Sequence, residues 1–210
     1  MTNLGLYRLA SLNYIIVVNE MDYAEIIDEV AKRLSLKRLR HSIGVSQTAE
    51  FLAVRFGCDQ EQAKLAGILH DLAREVPVNE LLPRALAFGI VVCDIECAEP
   101  ILLHAPLAAK MAQTELGIND AEIMQAVILH TTGGPNMTLL DKIIYLADAI
   151  EPGRKFKGVD KIRKVARTDL DKALLSALDQ SICYIVKGGG LIHPATIAAR
   201  NEILQNRSKY

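Results

Sequence analysis

Residues 63–77, Ala63-Lys64-Leu65-Ala66-Gly67-Ile68-Leu69-His70-Asp71-Leu72-Ala73-Arg74-Glu75-Val76-Pro77, decide how this chain is read. Ala63, Ala66, Gly67 and Leu69 recur at helical spacing and run into the pair His70-Asp71, with Pro77 soon after as a stop signal. Adjacent residues on a helix project about 100° apart, so both can enter one pocket only where that helix end is buried against other helices. Candidates to complete the pocket stand on either side: His41 before the pair, and His104, His130 and Asp148 after it. His41, His70, His104 and His130 recur at intervals of roughly 30 residues, about one helix plus one loop, so each can come from its own helix. Taken singly, any of them is more commonly a cap or a core residue than a ligand. Taken together, they supply neutral imidazoles and carboxylates suited to divalent iron, manganese or zinc, with a carboxylate able to bridge two ions. The pattern predicts a helical bundle with a metal site in its interior, and His193 falls outside the rhythm.

Outward from this stretch the chain reads as helix after helix. Ile26, Ile27, Val30 and Leu34 share one face, as do Val45, Ala49, Leu52 and Ala53 in a helix beginning near His41 and closed by Phe56-Gly57. Asp59 is the expected N-cap of the following helix, with Gln62 echoing a capping box. Further helices are expected over 78–87, 106–116, 120–130, 137–150 and 169–187, with a last one after Pro194. Pro152-Gly153 ends the helix that delivers Asp148, and the following stretch reads as a loop. Gly188-Gly189-Gly190 is a turn and not a phosphate-binding loop, because no strand precedes it and no Lys-Ser/Thr follows. Alternating strand patterns are nearly absent, and the class is all-α.

Composition sets the limits. The 210 residues, half of them hydrophobic, can bury one substantial core, so one domain over 21–207 is expected, with 1–20 an N-terminal extension of unclear role. Lys plus Arg number 24 against 25 Asp plus Glu, a net charge of −1 that gives no footprint for nucleic acid or an anionic membrane. The apolar stretch Tyr14–Val18 is far too short to span a bilayer, and no convincing cleavage site follows it. Cys58, Cys93, Cys97 and Cys183 form no CxxC and no dense framework, which fits a reduced, cytoplasmic setting. Cys93 and Cys97 are spaced for one helix face, but no second Cys or nearby histidine completes a structural zinc set, so they are expected to be buried or half-buried thiols.

Five segments carry a resemblance: Arg40-His41-Ser42-Ile43-Gly44-Val45, Ala66-Gly67-Ile68-Leu69-His70-Asp71, Leu103-His104-Ala105-Pro106, Ile128-Leu129-His130-Thr131-Thr132-Gly133, and residues 144–154, reading IYLADAIEPGR. In this order they resemble the HD-domain metal-dependent phosphohydrolases, and most closely the bacterial YqeK branch of symmetrical diadenosine tetraphosphate hydrolases, over about residues 22–204. The resemblance implies one metal held by His41, His70, Asp71 and Asp148, and a second by Asp71, His104 and His130, with Asp71 bridging. It implies iron, although the same ligands serve manganese. It also implies hydrolysis of the central bridge into two ADP by metal-activated hydroxide, a catalytic part for Asp71 and Arg74, and a homodimer. One departure is Arg74, where many members carry lysine: the charge is kept, but a planar fork replaces a point charge.

Substrate phosphates need cations beyond the metals. Lys142 and Arg154 are the better placed, while Lys155, Lys157, Lys161 and Arg163, like Lys32, Arg33, Lys37, Arg38 and Arg40, read more simply as solvated surface. Thr131, Thr132 and Gly133 could offer hydroxyl and main-chain donors to phosphate, or Gly133 could simply cap a helix. His193 and Asn201 resemble a family segment that touches nucleotide, or serve as part of a helix start. A small-molecule nucleotide is thus the expected partner. The alternatives are an HD phosphohydrolase acting on a mononucleotide or guanosine alarmone, and a non-catalytic nucleotide sensor.

Overall fold

A computed structural model describes residues 4–8, 15–19 and 21–207. The leader forms a hairpin in which β1 (Leu4–Arg8) pairs antiparallel with β2 (Ile15–Asn19), Leu4 opposite Asn19. Every other described element of regular structure is helical, in agreement with the all-α reading. The chain continues through α1 (Tyr23–Ala31), α2 (Leu36–Phe56), α3 (Gln60–Leu69), α4 (Val78–Ala87), α5 (Asp94–Ala98) and a 3-10 turn at Pro100–Leu103. It then runs through α6 (His104–Leu116), α7 (Ala121–Leu129), α8 (Leu139–Ile150), α9 (Val159–Ala166), α10 (Leu170–Lys187) and α11 (Pro194–Arg207).

Local chemistry explains most boundaries. Asp22 and Glu25 form a reciprocal capping box on α1, and Thr138 and Asp141 form another on α8. Asp59 caps α3 through the Gln62 N–H, but the Gln62 side chain does not return the bond. It reaches instead to Asp120 and Glu122 at the start of α7. Gly57 takes a left-handed φ of 76° that lets α2 stop after Phe56.

Helices α2, α3, α7 and α8 pack about one another, with α6 against α7 and α10 against α8. Their buried faces join in one hydrophobic cluster running from Ile26 to Ile203. The α2/α3 contact is unusually close: a Cβ on Gly67 would stand 2.6 Å from Ser46 Cα. Ser46 is in turn fixed by Lys64 O at 2.8 Å and Tyr23 Oη at 2.6 Å, so α1, α2 and α3 meet at one hydroxyl. No described helix is long and apolar enough to cross a membrane.

Several elements depart from the sequence reading, among them α5 and the 3-10 turn at Pro100–Leu103, which fall where no helix is expected. Helix α2 starts at Leu36 rather than near His41, which places Arg38 on the histidine's own face one turn earlier. Helix α6 starts at His104 itself. The loop expected after Pro152 contains α9, whose Val159, Ile162 and Ala166 are buried while its lysines face solvent. The density of Lys and Arg there hid a three-residue apolar stripe.

Candidate metal centre

Five helices bring the six candidate ligands together. His41 comes from α2, His70-Asp71 from the end of α3, His104 from the first residue of α6, His130 from the end of α7 and Asp148 from α8. Their order in the chain becomes a layout in space. Asp71 Oδ2 faces His70 Nε2 at 3.6 Å and His41 Nε2 at 3.8 Å, while Asp71 Oδ1 faces His104 Nε2 at 3.3 Å and His130 Nε2 at 3.9 Å. Asp148 Oδ1 closes the first group, 2.9 Å from His41 Nε2 and 3.8 Å from His70 Nε2. Two ligand clusters therefore share one carboxylate.

The rings are aimed by their other nitrogens. Nδ1–H of His70, His104 and His130 donates to the carbonyls of Gly67, Ile101 and Val127, and Nδ1–H of His41 donates to Glu151 at 3.1 Å. Each Nε2 is thereby left as a lone pair directed inward. The Nε2 atoms of His41 and His70 lie 3.3 Å apart, and those of His104 and His130 3.2 Å apart. Facing lone pairs at that separation repel unless a cation stands among them, so this donor set fits two divalent ions. His70, Asp71, His104 and His130 are buried, and such groups demand compensation of this kind.

Electrostatics agree with ligand duty. Burial, reinforced by His70 and His104, pushes His130 down to about 3, and burial lowers His70 as well, so both are neutral at physiological pH. Burial also opposes the charge on His41, but the Asp148 carboxylate against its Nε2, helped by Glu151, outweighs it and raises the imidazole. Burial opposes ionisation of Asp71 and Asp148 too. The imidazoles around Asp71, and His41 with Arg154 beside Asp148, nevertheless hold both carboxyls well below the ordinary range.

Above the centre lies a cavity of about 470 Å³ whose walls include Arg38, Arg74, Arg154, Thr131, Thr132, Tyr145 and His193. Arg38 Nη1 stands 3.3 Å from Asp71 Oδ2, and Arg154 bonds both the side chain and the main-chain carbonyl of Asp148. Arg74 forms no ion pair among the described residues. Thr131 Oγ1 lies 3.0 Å from His130 Nε2. Burial pushes the Tyr145 phenol up to about 12, so it stays protonated beside Ser181.

Other expectations are redistributed. Lys142 lies outside this cavity, its ammonium 2.8 Å from Asp171, because it sits on the flank of α8 turned away from Asp148. Asn201 is exposed on α11 and lines no cavity described here. Gly133, at φ 63°, closes α7 through its N–H on Leu129 O and lines a neighbouring cleft. Lys155, Lys157 and Lys161 are exposed, while Arg163 clamps the carbonyls of Ile150, Glu151 and Arg154.

Two residues escaped the sequence reading. Arg38, which reads as solvated surface in the sequence, lies within α2 one turn before His41 and lines the cavity. Glu151 lies three residues after Asp148, a helical spacing that was available as a signal, and it is buried against His41. The expectation of buried or half-buried thiols with no histidine nearby is also overturned, since Cys93 and Cys97 are exposed and His193 Nε2 is 3.4 Å from Cys93 Sγ, with Glu96 beside them. His193 Nδ1 accepts the Ala195 N–H, which leaves the proton on Nε2 and makes this trio a poor metal set.

Comparison with known proteins agrees with this geometry. The HD domain family matches residues 38–153. The symmetrical bis(5'-nucleosyl)-tetraphosphatase of Halalkalibacterium halodurans is 42% identical over 184 residues, covering 88% of this chain and 98% of the relative. Its namesake from Bacillus subtilis is 39% identical over the same shares. The crystal structure of a predicted HD superfamily hydrolase involved in NAD metabolism from Clostridium acetobutylicum superposes with a TM-score of 0.86 at 41% identity, covering 90% of this chain and all of that one. Both the ligand pattern and these near full-length matches place the chain in the HD-domain family, on the branch that includes the symmetrical tetraphosphatases.

Proposed function

We propose that this protein is a metal-dependent phosphoric anhydride hydrolase that cuts diadenosine tetraphosphate at its central bridge and releases two ADP. The observation that carries the reading is Asp71, whose two oxygens serve two separate histidine pairs at the foot of an arginine-lined cavity. The near full-length match to symmetrical tetraphosphatases supplies the substrate class.

His41, His70, Asp71 and Asp148 would hold one divalent ion, and Asp71, His104 and His130 the other. The ions are iron, with manganese able to replace it, since imidazole and carboxylate ligands suit both. Such a pair, when bound, supplies a water of lowered pKa and positive charge for the phosphoryl oxygens. The chain does the rest. Glu151 and the main-chain carbonyls keep each imidazole in the tautomer that presents Nε2. Arg38 and Arg154 stand against Asp71 and Asp148 and fix those carboxylates. Arg74, free of an ion pair among the described residues, takes a phosphate oxygen in the planar geometry of a guanidinium. Thr131 and Thr132 present hydroxyls along the same wall, and His193 marks its far end. The oxygen of water ends on one central phosphorus, the bridging oxygen leaves with the other, and two ADP result with no covalent enzyme intermediate.

The reading takes residues 21–207 as one HD domain and 1–20 as an extension. It takes the protein as a cytoplasmic homodimer, with a nucleotide and neither nucleic acid nor membrane as its partner. Protein loaded with iron or manganese should convert diadenosine tetraphosphate to ADP alone, read by anion-exchange chromatography. AMP with ATP as products would overturn the symmetrical assignment.

A further inference from the structure

A second cleft, of about 420 Å³, adjoins the metal cavity, and the two share Leu102, Thr132 and His193 in their walls. We infer that this cleft is the subsite for the second nucleoside of the dinucleoside tetraphosphate, the metal cavity holding the first; the inference rests on the reading given above.

A cut at the centre of a symmetrical substrate leaves equal halves on either side of the reacting phosphorus. The protein must therefore receive two nucleosides in two directions from one metal centre. The cleft starts where such a path requires. Thr132 follows Thr131, whose hydroxyl is 3.0 Å from His130 in the second ligand group, and Leu102 lies two residues before His104 of the same group. Beyond this junction the walls turn apolar, with Ile90, Val91, Ile128 and Pro135. Val91 is 93% exposed and Ile128 41% exposed, so apolar surface lies uncovered beside a charged site. A purine or pyrimidine face would cover it.

The polar end of the cleft matches the rim of a base. Glu96 lines it and can accept from an exocyclic amine, and His193 stands at the doorway between the two cavities. The ring of His193 is held from both sides: Nδ1 accepts the Ala195 N–H at 3.2 Å, and Nε2 meets Cys93 Sγ at 3.4 Å. This gives the thiol a role as a positioning group for that ring. It also accounts for why residues 100 positions apart meet at the rim of the site.

The test is a selectivity ratio, kcat/KM for diadenosine tetraphosphate over kcat/KM for adenosine 5'-tetraphosphate, which carries one nucleoside and would yield ADP and diphosphate. Ile128→Glu and Val91→Glu place charge on exposed cleft positions, and each should lower the ratio about tenfold, the equivalent of about 1.4 kcal/mol of lost contact. A ratio unchanged in both variants would overturn the subsite. Because the ratio is measured on active enzyme, a folding defect does not imitate the result. Calorimetry with a non-hydrolysable diadenosine tetraphosphate and with ADP gives a parallel ratio of affinities, which the two substitutions should lower in the same direction. Failure of wild-type protein to bind the dinucleotide or make ADP from it would overturn the function itself. Normal wild-type behaviour with indifferent variants would overturn only the second subsite.

Discussion

Asp71 has no equivalent replacement among the residues around it. Its carboxylate is flanked by four imidazoles, so Asp71→Ala should remove both ions and abolish hydrolysis, whereas His41→Ala should leave the second ligand group intact. Metal content measured on the same samples as turnover separates these outcomes, and full activity in a metal-free Asp71→Ala protein would end the catalytic reading. Glu151 acts one step further out, through the His41 ring, and Glu151→Gln should weaken metal affinity or activity about 10- to 100-fold. The histidines also predict an ordered acid response. His41 is raised, so protons compete for its Nε2 as pH falls through its raised value, while His130, at about 3, remains an available ligand far below that. Metal per chain after dialysis at stepped pH should therefore fall from about two to about one before reaching zero. Simultaneous loss of both ions would contradict the difference between the two groups.

At the level of elements, the site depends on how closely α2 and α3 approach. Gly67→Ala would set a methyl 2.6 Å from Ser46 Cα, forcing the helices apart and moving His41 relative to His70. A loss of about 1–3 kcal/mol is expected, seen as a lowered Tm, together with reduced metal content. Arg163 on α9 plays a comparable part for the turn after α8. Arg163→Ala would take its guanidinium from three main-chain carbonyls, of which Glu151 O keeps the Arg154 N–H, and loosen the turn that carries Arg154, at about 1–3 kcal/mol. Most helices were legible because periodicity and caps agree in them. The α9 stripe was hidden by surrounding lysines, and α2 was started late because Leu36 is exposed and contributes nothing to an apolar face. The six ligands could be read because each residue type has few reasons to recur at such intervals. Glu151, Arg38 and the junction at His193 could not, since each depends on contacts between distant segments that spacing alone does not encode.

Across the whole molecule, the centre is a cluster of buried polar groups inside an apolar interior. Cations bound there would compensate Asp71 and Asp148 and fill the space between opposed lone pairs, so chelation should lower Tm and re-addition of iron or manganese restore it. At free metal about 100 times Kd the stabilisation is about 2.7 kcal/mol per site. A Tm indifferent to chelator would show that the bundle carries the uncompensated centre unaided.

The ligands are strung along the chain from residue 41 to residue 148 on five helices, His70 and Asp71 sharing the end of α3. During synthesis, His41, His70 and Asp71 leave the ribosome with α2 and α3, His104 and His130 follow with α6 and α7, and Asp148 comes last on α8. A nascent chain interrupted between α7 and α8 would hold every candidate ligand but Asp148, so the group of Asp71, His104 and His130 would be complete while the other stayed open on one side.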